Sequence, residues 1–168
     1  MSDQPTASGT QTTAEPTPRP YNRPLPRFYS EGSKEFYAAC RRRELVIQRC
    51  TACGRFRFPP QRMCGHCHSL DSEWAPVSGR GTIATFTVVP GYEPRAVPMF
   101  SWPQDGYPIV VVVVELPDAD RVRIVGNLID YDPEEIAVGL EVEIVFQDVT
   151  DEITLPGFRL AQRRQTEV

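Results

Sequence analysis

Residues 50–67 read CTACGRFRFPPQRMCGHC. Two Cys-x-x-Cys pairs, Cys50/Cys53 and Cys64/Cys67, are separated by ten residues. Each pair forms a tight knuckle, and the spacing lets four thiolates converge at about 2.3 Å on one tetrahedral Zn²⁺. Backbone N–H groups point at the sulfurs of such knuckles, and a glycine eases each turn. Gly54 and Gly65 are expected to supply it. A redox-active reading of the pairs would need a thioredoxin-like βαβ setting, which the flanking sequence does not offer. Iron fits the same thiolate cage. His66 and His68 adjoin the cysteines and read as exposed or supporting groups; Cys40 lies outside the spacing and reads as a buried helix residue. Four protein ligands leave no open position to activate water, so the reading is one structural zinc per chain. Such an ion folds a module too small to have a core of its own.

Upstream, RFYSEGSKEFYAACRRR (27–43) places Phe36, Tyr37 and Cys40 at one-face helical spacing, with Ser33 as the expected N-cap. Arg41, Arg42 and Arg43 close this helix. Positive charge there complements the helix dipole, and a cluster this dense also suits a phosphate or a partner. Residues 45–48 read as a strand entering the ribbon.

Downstream, five short strands are expected at 82–89, 109–116, 121–129, 140–149 and about 153–160. In the fourth, Leu140, Val142, Ile144 and Phe146 alternate with polar residues that include Glu141 and Glu143. Asp132-Pro133-Glu134-Glu135 marks a brief helical turn before it. Glycines at 79, 81 and 126 suit barrel corners. The fold class is therefore mainly β: an N-terminal helix, a four-cysteine zinc ribbon, then a five-stranded OB-fold barrel. The divisions are a disordered tail at 1–26, helix and linker at 27–45, ribbon at 46–75, barrel at 76–160 and a flexible tail at 161–168. The first 26 residues are rich in Pro, Thr, Ser and Gln and hold too little apolar surface to offset their ordering entropy.

Several function classes are excluded or weakened. Net charge is -4, so no chain-wide basic field draws in phosphate backbones. Neither a signal-like leader nor an apolar stretch of spanning length is present, which gives an expectation of a cytoplasmic chain with no membrane partner. Only two histidines exist, both beside the cysteines, and no nucleophile elbow, phosphate loop or dinucleotide glycine pattern occurs. No catalytic residue is assigned. Asp118, Asp120, Glu134 and Glu135 read as solvated turn acids. The segment PGYEPRAVPMFSWPQDGYP (90–108) joins the first two barrel strands and carries Tyr92, Phe100 and Trp102. Those aromatics read either as a partner or ligand contact or as a cap folded back on the barrel.

Taken in order, the aromatic helix, the cysteine ribbon with Phe58-Pro59-Pro60 between its pairs, and a barrel opening GRGTIATFTVV resemble a family of fused rubredoxin-like zinc-ribbon and OB-fold proteins. Tyr107-Pro108-Ile109-Val110 and Leu155-Pro156-Gly157-Phe158 extend the likeness over about residues 27–160. The resemblance implies a non-catalytic accessory subunit of acyl-CoA enzymes of thiolase, hydratase or aldolase type. It further implies a hetero-oligomer with two copies of each subunit and a role in holding the CoA thioester. The cysteines carry over as zinc ligands. Arg41–Arg43, Tyr92, Phe100 and Trp102 are CoA or partner contacts on physical grounds only. The alternative is a single-stranded nucleic-acid module, since ribbons and OB barrels both serve there, but this would need a basic groove with stacking aromatics.

Overall fold

The computed structural model describes residues 25–27, 30–89 and 109–161. The tail at 1–24, residues 162–168 and the aromatic segment 90–108, with Tyr92, Phe100 and Trp102, lie outside the described residues.

Helix α1 (Glu31–Arg41) starts one turn earlier than its sequence suggests. Ser30, in extended conformation, is the N-cap, and its Oγ accepts the N–H of Ser33 at 3.1 Å. Ser33 is already inside the first turn, which corrects the expected cap. Phe36, Ala39 and Cys40 form the buried stripe. Arg43, at φ 63, ends the helix: its N–H bonds Cys40 O at 3.0 Å and that of Glu44 bonds Ala39 O at 3.1 Å. This double bond pattern satisfies the last carbonyls, usually with glycine at the left-handed position.

Strand β1 (Leu45–Cys50) is the centre of a three-stranded antiparallel sheet, with β2 (Phe56–Arg57) and β3 (Ser72–Val77) at its edges. Leu45 and Ile47 bury towards Phe36 and Cys40 in one core that continues into the barrel.

The barrel follows without a break. Strands β4 (Arg80–Val89), β5 (Ile109–Leu116), β6 (Val122–Asn127), β7 (Glu141–Asp148) and β8 (Thr154–Leu160) pair in the order β6-β5-β4-β7-β8, all antiparallel. Along β5, Val110, Val112, Val114 and Leu116 are fully buried while Val111, Val113 and Glu115 between them are only partly buried, the alternation of a period-2 strand. The third barrel strand ends earlier than 129. Leu128 forms a parallel bridge with Phe158, and Ile129 N–H donates to Phe158 O at 2.7 Å, joining β6 to β8. Strand order and parallel closure are those of a five-stranded OB barrel, so the expected fold class holds.

Two glycines make the geometry feasible. Gly79, at φ 72, joins β3 to β4, and a Cβ there would collide with the Ile144 side chain. A Cβ on Gly126 would meet the Phe158 ring at 2.9 Å. The hairpin between β5 and β6 then reaches back to the ribbon. Asp118 Oδ2 accepts the Ser78 N–H at 2.7 Å, and Asp120 Oδ2 accepts that of Phe56 at 3.1 Å. Neither is the solvated turn acid the sequence suggests; each is exposed yet holds the ribbon against the barrel.

Candidate metal centre

Each cysteine knuckle is built by the same two backbone bonds. In the first, Cys50 N–H donates to Arg55 O at 2.9 Å and Gly54 N–H to Cys50 O at 2.8 Å. In the second, Cys64 N–H donates to Ser69 O at 2.8 Å and His68 N–H to Cys64 O at 3.0 Å. The left-handed position in both is the residue after the second cysteine: Gly54 at φ 75 and His68 at φ 62. Gly65 has no positive φ, so the second knuckle is not eased by a glycine; a histidine takes the strained position instead.

The knuckles bring the four sulfurs within 4.8 Å of one another, with Cys50–Cys67 and Cys53–Cys64 each at 3.6 Å. A tetrahedron of sulfurs at about 2.3 Å from a central ion has edges of about 3.8 Å. The donor set therefore has the size of a four-thiolate metal site. Among the described residues no other group of Cys, His, Asp and Glu brings three donor atoms together.

Electrostatics make the same point. Backbone N–H groups of Cys67 and then His66 aim at Cys64 and draw its thiol down to about 6. The Cys53 and Ala52 amides lower Cys50 in the same way. At Cys53 the Arg55 amide acts downward, but burial and the sulfurs of Cys67, Cys50 and Cys64 outweigh it and the thiol is pushed up to about 12. The backbone thus ionises part of the set, and the remaining thiolates need a cation to offset mutual repulsion. His66 and His68 are both exposed beside this centre, and Cys40 is buried, its thiol pushed up to about 12 by desolvation.

The three arginines separate. Arg43 forms an ion pair with Asp148 and donates to Phe146 O at 3.3 Å; Arg41 reaches Asp151 O at 3.4 Å; Arg42 pairs with Glu44 at 3.1 Å. Arg41 and Arg43 line an open cleft with Asp148, Thr150, Asp151 and Thr154. Two carboxylates sit among its two cations, which makes it a poor phosphate cradle. On the barrel, Glu143 pairs with Arg159 at 2.7 Å, while Glu141 is exposed.

Residues 38–73 match the family model described as the ChsH2 rubredoxin-like zinc ribbon domain, and residues 74–147 match the ChsH2 C-terminal OB-fold domain. A DUF35 domain-containing scaffold protein of Methanothermobacter thermautotrophicus is 32% identical over 116 residues, 66% of this chain and 77% of that one. The chain belongs to the ChsH2-type DUF35 family. A solved family structure, titled Ltp2-ChsH2(DUF35) aldolase, is 33% identical with a TM-score of 0.66, covering 79% of this chain and 97% of that one. A probable enoyl-CoA hydratase alpha subunit of Thermomonospora curvata is 37% identical over 139 residues, 83% of this chain. The chain spans only 40% of that relative's length. No helix among the described residues is long and apolar enough to cross a membrane.

Proposed function

We propose that this chain is a non-catalytic accessory subunit that scaffolds an acyl-CoA-processing enzyme, a thiolase, a hydratase or an aldolase. The observation that carries the proposal is the match along nearly all of the DUF35 chain in the aldolase structure, at 33% identity. The scaffold and hydratase-subunit relatives agree with it. Cys50, Cys53, Cys64 and Cys67 hold one zinc ion, which fixes the ribbon. Four sulfurs complete its coordination, so it orders the fold and activates no water. Zinc is favoured over iron because the matched family domain is a zinc ribbon and nothing in the proposed role needs a redox ion. The CoA thioester is held mainly by the enzyme. The Arg41–Arg43 cleft contributes a partner contact in place of a dedicated phosphate site, since Asp148 already occupies Arg43.

Co-purification of the tagged chain from its native lysate tests the proposal, with metal measured on the same sample. Recovery of an aldolase, thiolase or hydratase at near-stoichiometric ratio, with zinc at one per chain, is the expected outcome. Recovery of nucleic acid in place of an enzyme would overturn it.

A further inference from the structure

We infer that Cys67 is the point at which a hydroperoxide attacks the metal site, and that oxidation exchanges the zinc for a disulfide between the two knuckles, Cys50–Cys67. The inference rests on the reading that the four cysteines hold zinc and adds a chemical exit from that state.

The four donors are not equally placed. Cys50 is fully buried and Cys64 is 3% exposed; Cys53 is half-buried, and Cys67 alone of the four is exposed. Its neighbours Gly65, His66 and His68 are exposed too, so a reagent in water meets the cage at this knuckle. Support differs as well. Cys50 is the last residue of β1, the central strand of the ribbon, where it pairs with Ser72. Cys67 lies within residues 58–71, which contribute no strand. The metal therefore fastens a strandless segment to the strand at the ribbon's centre.

Coordination keeps a cysteine deprotonated, and the thiolate is the nucleophile. Cysteines that respond to oxidants are accessible thiolates with a resolving cysteine alongside. Cys67 has such a partner in Cys50, whose Sγ is 3.6 Å from its own. In the first step Cys67 Sγ attacks the terminal oxygen of the hydroperoxide. An S–O bond forms, the O–O bond breaks, and the leaving alkoxide takes a proton to become an alcohol. Cys50 Sγ then attacks the resulting sulfenic sulfur. The S–S bond forms, the S–O bond breaks, and the departing hydroxide takes a second proton to become water. The two thiolates lose two electrons and the hydroperoxide gains them. Closing 3.6 Å to a disulfide of about 2 Å needs about 1.5 Å of approach. Two of the four donors are then consumed, and Cys53 and Cys64, also 3.6 Å apart, cannot complete a tetrahedron. A catalytic dithiol would close within one Cys-x-x-Cys; this link runs between the knuckles, across 17 positions of sequence. It keeps the second knuckle on β1 after the zinc has gone, where chelation alone would release it.

The test uses the full zinc-loaded chain, its metal content measured first, with hydrogen peroxide as the probe. A chromogenic indicator follows zinc release, peptide mass spectrometry maps disulfides, and iodoacetamide labelling of the folded chain gives the order in which cysteines react. One zinc is expected to leave per first disulfide formed, and that disulfide to be Cys50–Cys67. Cys67 is expected to be alkylated ahead of the other three donors, and Cys40, buried away from the site, to stay unmodified. The oxidised chain should keep hydrogen-exchange protection in β1 and β3 that the chelated, reduced chain loses. Cys67→His keeps a zinc ligand without the reactive sulfur and should release zinc more slowly than wild type under peroxide. The wild-type disulfide map decides the matter whether or not that variant loads metal. A first disulfide within either Cys-x-x-Cys, zinc loss without a disulfide, or Cys40 reacting as fast as Cys67 overturns the inference. Zinc retained with no cysteine oxidised does so too. All of these leave the zinc reading standing, whereas a chain that purifies without zinc overturns both.

Discussion

Asp120 accepts the backbone N–H of Phe56 through Oδ2 at 3.1 Å, across 64 positions of sequence, and so ties the barrel's second hairpin to an edge strand of the ribbon. Asp120 itself sits at φ 51, a conformation that aspartate tolerates better than most residues. Replacing it with alanine removes the acceptor and adds strain. The expected loss is about 1 to 2 kcal/mol, a fall in Tm of about 2–4 °C per kcal/mol for a chain of this size. Asp120→Asn keeps a carbonyl acceptor and should lie close to wild type. Equal Tm values for alanine and wild type would mean that the tie contributes nothing.

Removing the metal should unfold the ribbon first. Binding by four thiolates is worth on the order of 10 kcal/mol in small zinc modules, and β2 is only two residues long. The barrel retains its own buried row of Val110, Val112, Val114 and Leu116. Hydrogen exchange after chelation should therefore show lost protection in residues 45–77 and largely kept protection in β5 and β6. Simultaneous loss throughout would show that the shared core makes the two parts one cooperative unit.

His68 holds a left-handed backbone where the matching position of the first knuckle has glycine. For a residue with a Cβ that conformation costs about 1–2 kcal/mol, and glycine's extra unfolded-state entropy returns roughly half of it. His68→Gly should stabilise the metal-loaded chain by about 0.5 to 1 kcal/mol, read as a higher Tm at unchanged zinc content. A lower Tm would show that the imidazole makes a contact worth more than the strain.

The barrel was largely legible in sequence because its signals are local. IVVVVVEL marks β5 by β-branched residues, and Leu140 to Phe146 mark the inner face of β7 by alternation. The cysteine spacing was equally plain. What sequence missed was set by geometry between distant segments or by backbone conformation. Asp118 and Asp120 look like ordinary turn acids until Ser78 and Phe56 are brought beside them. Ser30 and Ser33 lie one turn apart and both resemble caps; the extended backbone at Ser30 decides between them. Gly65 is the turn residue that the sequence favours, yet the knuckle places its left-handed step after the second cysteine, at His68. The departure of Ile129 from β5 to meet Phe158 depends on closure of the whole barrel, which no local pattern encodes.

The helix C-terminus gives a pH-dependent contact with a defined sign. Arg43 is the first cause of the lowered pKa of Asp148, the Thr154 hydroxyl bond at 2.6 Å the second, and burial opposes both. A carboxylate whose folded pKa lies below its unfolded value stabilises the fold above that unfolded value. The contribution is lost as pH falls through the folded value. The contact is therefore intact near neutrality and weakens only in acid, below the usual aspartate range. Both side chains are about half exposed, so salt screens much of its worth. Arg43→Asn keeps a residue that tolerates the left-handed position and removes the guanidinium. The Asp148 carboxyl, followed by NMR through an acid titration, should then titrate at higher pH than in wild type. It should remain below an unbonded aspartate as long as Thr154 still donates to it. An unchanged midpoint would show that Arg43 does not hold Asp148 in solution, leaving the cleft's cations available to a ligand after all.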